Sequence, residues 1–305
     1  MNFVYILIYL SLISHTFRFS VVDFFIGFFS FAHVSCLKSA PENVRSVESL
    51  HALVCGKNFS DVSQSNLLIA SGLIHLFVVS GSHLKILHKI VFYLLCNRCF
   101  SLTKFLQLII FSLLFFYCAI CKFNPPIFRS FIALVLLAVL TKYKLRWRTE
   151  QLILISGLIC LGLSPQWINS LSFQMSWIAS LTLAVISFFF LKSSELFKNS
   201  LFYVNYLTTF NFIGIPQPLS IGVSTLFTRF LEYVLFPLAL AVYLFPFLGK
   251  IFDALIFILN SFLSRLELTV IFRPYENEKL IFLNWILILS IHLFLNRTSK
   301  AAQYA

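Results

Sequence analysis

Ser71-Gly72-Leu73-Ile74-His75-Leu76-Phe77-Val78-Val79-Ser80-Gly81-Ser82-His83-Leu84-Lys85-Ile86-Leu87-His88-Lys89 is the stretch that decides the fold. It belongs to two apolar runs of helix length, 67–79 and 84–96, separated by Ser80-Gly81-Ser82-His83. A helix rises about 1.5 Å per residue and the hydrocarbon core of a bilayer is about 30 Å thick, so each run, at roughly 20 Å, is too short to cross alone. Together they are too long for one straight crossing. Non-helical backbone at membrane depth persists only where protein or trapped water satisfies its N–H and C=O groups, so a broken helix with Ser80 to His83 facing a wet cavity is expected. Half-helices of this kind commonly build transporter substrate sites. The competing account is a short turn outside the membrane, or a packing glycine beside core histidines.

The rest of the chain supports a membrane setting. Of its 305 residues 59% are hydrophobic and only 11% charged, with a mean hydropathy of +0.91, which excludes an ordinary soluble globule. The expected fold is all-α, a polytopic bundle of about ten or eleven segments. The 38 Phe rise together with Leu, Ile, Lys and Tyr, the pattern of AT-rich coding sequence, and carry no functional weight.

The formal charge of +12 sits mostly in loops. Thr141 to Thr149 carries Lys142, Lys144, Arg146 and Arg148 without an acid, which places it in the cytoplasm by the positive-inside rule. Counting from there puts Arg98 and Lys104 inside and the charge-balanced stretch 37–66 outside. Ser164 to Ser170, Pro216 to Pro218 and Arg265 to Lys279 are expected outside, and the tail with Arg297 and Lys300 inside. Asn2 to Phe17 and Phe19 to Cys36 read as two retained membrane segments joined at Arg18. Pro237 and Pro246 should kink or divide 219–248. No Walker loop is present, so transport driven by the chain's own ATP is not expected.

Cys96-x-x-Cys99 and Cys118-x-x-Cys121, 18 residues apart, formally fit a zinc spacing. The apolar helix between them would hold the pairs about 25 Å apart at opposite faces. Cys36 and Cys55 bracket the outer segment and are candidates for a disulfide there.

His75-Leu76-Phe77-Val78-Val79-Ser80-Gly81-Ser82-His83, preceded by Ser71-Gly72-Leu73, resembles the signature G-L-x-H-L-x-x-x-S-G-x-H of the ComEC family, the inner-membrane DNA-uptake channels of natural competence. The resemblance extends to His51 to Lys57, to Arg129 after Pro125-Pro126, to Leu161 to Pro165 followed by Leu171-Ser172-Phe173-Gln174-Met175-Ser176, similar to the family's L-x-x-x-P and F-Q-L-S, and to the proline-interrupted run Pro216 to Phe247. It implies membrane segments over 1–36, a short outer loop over 37–66, a channel domain over 67–296 and a cytoplasmic tail over 297–305. The family's outer OB-like domain and C-terminal nuclease-like domain have no counterpart in this stretch of sequence. The implied function is passage of single-stranded DNA across the bacterial inner membrane into the cytoplasm during transformation. Implied partners are membrane lipids, an outer DNA receptor, a separate nuclease and a cytoplasmic ATPase, with a homo-oligomer left open.

The candidate DNA pathway comprises His75, Ser80, Gly81, His83, Lys85, Arg129 and Gln174. His75 and His83 lie about 80° apart around a straight helix and about 12 Å along it, and a bend at Gly81 would aim both into one cavity. There they would donate to phosphate oxygens or hold water; two histidines bonded to carbonyls are the alternative. Lys85, His88 and Lys89 share a helical face suited to a phosphate chain, though flank charge explains Lys89 better. Arg129 and Gln174 are intramembrane polar groups, expected to face the bundle interior as pathway residues or as cross-helix hydrogen bonders. Arg229 and Glu232 are expected to form a structural ion pair. Zinc would need a third ligand beside His75 and His83, with only His88 near, so neither metal nor cofactor is expected. A solute or ion transporter using the same break, with Asp23 or Glu232 as proton site, is the rival function. An enzyme is not expected, because no nucleophile or acidic dyad accompanies the histidines.

Overall fold

Prolines and left-handed residues settle where this apolar chain reverses. The computed structural model describes residues 20–59, 67–68, 71, 73, 77, 80–96, 103–189, 197–198, 201–202, 214–215, 218–266, 271–272 and 284–295. The expected segment 2–17, His75, Cys99 and the tail 297–305 lie outside them.

A run of antiparallel helices forms the larger core: α4 (Gly81–Cys96), α5 (Thr103–Ile120), α6 (Pro125–Lys142), α7 (Thr149–Leu163) and α8 (Leu171–Phe189). They follow α1 (Val21–Phe28), α2 (Ser30–Lys38) and α3 (Val47–Cys55) in the chain. Lys122 and Phe123 take left-handed φ of 52° and 49° to turn the chain after α5, and Pro125-Pro126 open α6, where a missing N–H costs nothing. At the far end of α6, Lys144 is left-handed (φ 55°), with Leu145 N–H bonded to Leu140 C=O at 2.9 Å and Lys144 N–H to Thr141 C=O at 3.2 Å. This is a Schellman closure. A 3-10 turn over Pro165–Asn169 joins α7 to α8. Gly157 lets α7 lie flat on the buried Trp177 ring, since a Cβ there would fall 2.3 Å from it. The helix Asn284–Leu295, here α12, completes this core through Ile288 and Leu295.

A second core gathers α3, α9 (Pro218–Phe230), a π-turn (Leu231–Leu235), α10 (Phe236–Leu244) and α11 (Gly249–Arg265). Pro237 has no N–H to give the Tyr233 carbonyl, and the wider π-turn just before it accommodates that loss without breaking the helix. Among the described residues the only strands are Gly214–Ile215 and Ile271–Phe272, paired antiparallel.

Four helical stretches are long and apolar enough to cross a membrane: Pro125–Lys142, Leu171–Phe189, Gly222–Leu244 and Pro246–Arg265. The α1–α2 pair, bent by 46°, would make five, and three apolar helices are shorter. The chain is therefore a helical membrane protein, and the described residues do not reach the ten or eleven segments expected.

The outer segment marks one end of the bundle. Cys36 and Cys55 are joined in a disulfide, and the Tyr243 hydroxyl lies 3.2 Å from Cys55 Sγ. His33 Nδ1–H donates to Ile120 C=O at 2.8 Å, and Asp253 accepts from the N–H groups of Arg45 and Ser46 at 2.9 and 2.8 Å. His51 Nε2–H donates to Leu37 C=O at 3.1 Å. Burial, reinforced by the nearby Lys57, lowers the pKa of the His51 imidazole.

Two expectations change at this end. Ser20 Oγ donates to Ser164 Oγ at 3.1 Å, and Gln166 donates to Asp23 at 3.1 Å. The turns after α5 and after α7 share this end of the bundle, as the 5.8 Å contact between the Phe128 and Trp167 rings requires. Both described ends of the α1–α2 pair therefore make contacts at this end, so with its 46° bend the pair is a broken or re-entrant element rather than the plain span expected over Phe19 to Cys36. Pro246 divides the long apolar run into two spans, one of the two outcomes expected of it, but the division lies at the disulfide end. Asn43 donates to its carbonyl at 2.9 Å, and Val44 packs on Gly249. Because Tyr243 and Gly249 both sit at the disulfide end, the start of α9 and Arg265 lie at the opposite end. The segments 216–218 and 265–279 were expected on the same side as 37–66; their described residues sit at the end opposite the disulfide.

Candidate functional site

The break expected around Ser80 is present, and its chemistry is local before it is functional. Ser80 is non-helical and α4 starts at Gly81. Ser80 N–H donates to His83 Nδ1 at 3.0 Å, and the Ser80 and Ser82 hydroxyls are 2.7 Å apart. This is one half of a capping box, with an imidazole in the place usually held by Glu or Gln. Because Nδ1 accepts, the neutral His83 ring carries its proton on Nε2. The ring is fully buried and lies 4.3 Å from that of Phe236, which ties the half-helix to the second core.

Gly81 packs as the competing account had it. A Cβ there would meet Ser130 Oγ at 2.1 Å and Ser130 Cβ at 3.1 Å, so the glycine seats α4 against the first turn of α6. One residue away, Arg129 is 4% exposed. Its Nε donates to Ser176 Oγ at 3.2 Å, and Nη2 donates to Ser176 C=O at 2.8 Å, to Ser176 Oγ at 3.0 Å and to Ser180 Oγ. Among the described residues no carboxylate forms an ion pair with it. A guanidinium sunk in an apolar bundle with only hydroxyls and a carbonyl around it keeps its charge uncompensated, an arrangement suited to a passing anion.

Lys85 is exposed one turn along α4 and lies within electrostatic reach of Arg129 and Glu232. Lys89 is exposed as well, whereas His88 turns its ring toward Phe92 and Phe111, at 6.2 and 6.4 Å. Glu232 faces Ser82 and Lys85. Among the described residues it forms no ion pair with Arg229, contrary to expectation.

Gln174 does not belong to this group. Two residues from Ser176 on α8, it points about 200° away around the helix. Its Nε2 donates to Ile168 C=O at 3.0 Å, and its Oε1 accepts from Asn284 at 3.1 Å. Trp285 donates to the same Ile168 carbonyl at 2.9 Å. Gln174 thus closes the 3-10 turn and staples α8 to α12. The structure therefore brings together Ser80, Gly81, His83, Lys85 and Arg129 and leaves Gln174 apart. Sequence reasoning missed Ser130 and Ser180 and gave Ser176 no role, although Ser176 closes the stretch that resembles F-Q-L-S. The i, i+4 spacing of Ser176 and Ser180 on an apolar helix was a further signal.

A family model described as Competence protein matches residues 53–297. The chain belongs to the Competence protein family. The match takes in the whole signature from Gly72 to His83 as well as Arg129 and its serines, as expected of a ComEC-type membrane core. No curated protein and no solved structure matches. Among the described residues no group of His, Cys, Asp or Glu could hold a metal ion, and Cys118 and Cys121 are free and buried.

Proposed function

We propose that this competence-family core is an inner-membrane channel that passes single-stranded DNA toward the cytoplasm, with the disulfide end outermost. The observation that carries the proposal is Arg129: a buried guanidinium held, among the described residues, by Ser176 and Ser180, on the helix turn that packs against the break at Ser80-Gly81. Hydroxyls and a fixed cation serve every phosphate alike, so the passage reads no sequence. Lys85 provides a second cation one helical turn from the break. Force, strand separation and hydrolysis fall to an outer receptor, a nuclease and a cytoplasmic ATPase.

The test follows labelled DNA in the host. Arg129→Gln, in protein that still inserts, should leave DNA in a nuclease-protected periplasmic pool and cut cytoplasmic entry by at least tenfold, while Arg229→Gln should not. Undiminished cytoplasmic entry in Arg129→Gln would remove the proposal. One observation favours the rival solute or ion transporter: Glu232 stands beside Ser82 and Lys85, where a carboxylate repels polyanions. Under that reading Glu232→Gln abolishes function and leaves DNA entry untouched.

A further inference from the structure

The turn between α6 and α7 is not used by the proposed passage, yet it carries an unusual surface. Lys142-Tyr143-Lys144-Leu145-Arg146-Trp147-Arg148 alternates four cations with three apolar side chains. Tyr143, Leu145 and Trp147 are 64%, 54% and 42% exposed. The segment has a fixed shape. The Schellman closure holds its start, and at its end Arg148 N–H donates to Gln151 Oε1 at 3.0 Å. Among the described residues the only counter-charge paired with it is Glu150, 3.8 Å from Arg148. Lys142 additionally sits 5.7 Å from the Tyr143 ring. The turn lies at the end opposite the disulfide, continuous with the exposed Leu137 and Val139 of α6.

We propose that Lys142 to Arg148 is a docking site for anionic phospholipid headgroups in the leaflet opposite the disulfide. A rigid surface that presents cations and bulky apolar groups together is matched by the headgroup–acyl boundary of an anionic bilayer: phosphates meet Lys144 and Arg146, while Leu145 and Trp147 enter the acyl edge. A nucleic-acid strand would satisfy the cations and stack on Tyr143 and Trp147, but it offers Leu145 nothing, so the lipid is the better occupant. Docking would fix the inner end of α6, the helix whose outer end presents Arg129. The inference does not depend on what the bundle conducts.

The full chain in mild detergent is titrated with brominated phosphatidylglycerol or brominated phosphatidylcholine. Quenching of Trp147 is taken as the difference between wild type and Trp147→Phe. Phosphatidylglycerol should quench at much lower lipid than phosphatidylcholine. Each surface cation contributes about fivefold, so Lys144→Asn with Arg146→Gln, the asparagine tolerating the left-handed backbone, should raise the half-quenching lipid concentration by about 25-fold. Equal quenching by the two lipids, or no shift in the double variant, would overturn the assignment. So would displacement of phosphatidylglycerol by a single-stranded oligonucleotide, which would give the turn to nucleic acid instead.

Discussion

Gly81→Ala tests the contact on which the site is built. The new methyl would fall 2.1 Å from Ser130 Oγ and 3.1 Å from Ser130 Cβ, with the Pro126 carbonyl at 3.7 Å. The hydroxyl must swing away and lose its 2.9 Å bond to Pro126 C=O, at a cost of about 1 kcal/mol. The residual approach of the two Cβ atoms forces α4 and α6 apart by a few tenths of an ångström, and overpacking of this kind costs roughly 1–3 kcal/mol. Alanine's better helix propensity returns at most about 1 kcal/mol. The net loss should be about 1–3 kcal/mol, read as a lower midpoint of SDS-induced unfolding of the solubilised protein. Ser130→Ala in the same chain removes the nearest atom and should restore most of the loss, giving a coupling energy of about 1 kcal/mol or more. If Gly81→Ala matches the wild type, or if Ser130→Ala restores nothing, α4 does not seat on α6 in this way.

Gly157→Ala should be harsher, because three atoms of the rigid Trp177 ring lie 2.3–2.6 Å from the new Cβ; a loss of about 3 kcal/mol should appear as a collapse of monodisperse yield on gel filtration. Reducing the Cys36–Cys55 bridge, which closes a separation of 19 residues, should cost about 3 kcal/mol, seen as faster proteolysis between Ser39 and Ser46 in Cys55→Ser than in wild type. Folding lowers the pKa of His51, so the unfolded chain binds its proton first. Its contribution is complete above about pH 6.5 and is lost as pH falls from there toward the folded value. Protection of α3 amides, taken relative to intrinsic exchange at each pH, should therefore fall on acidification, and His51→Gln should flatten that dependence.

How much of this was legible in the sequence depended on whether one residue or a pair carried the information. The break at Ser80 was legible because a polar run cannot sit mid-span on a lipid-facing helix, whatever surrounds it. Arg129 was legible for the same reason. Its holders were not: a serine in an apolar helix bonds its own backbone at little cost, so Ser176 and Ser180 acquire meaning only once α6 lies beside α8. Gln174 shows the converse. Its polarity announced a buried role, but Asn284 and the Ile168 carbonyl, not the pathway, receive it.

The errors in topology arose from the same limit. Hydropathy counts apolar length and is blind to reversal, so it left open whether Pro246 kinks or divides the long apolar run and gave no sign that Asn43 and Val44 hold the division at the disulfide end. Moving that one reversal puts Arg265 on the same side as Lys142 to Arg148 and Lys250 at the disulfide end, so the count of basic residues on each side is unchanged. The α1–α2 pair fits the same logic. Its phenylalanines pack on Phe115 and Phe123 near the disulfide end, and its 46° bend makes it a broken or re-entrant element, which hydropathy reads as a plain span. What the helices share toward the disulfide end is then a short polar track of Ser80, Ser82, Ser130, Arg129, Ser176 and Ser180, with elements from both cores bordering it. Widening that track requires α4 to move relative to α6, and Gly81 against Ser130 is the contact that would have to part.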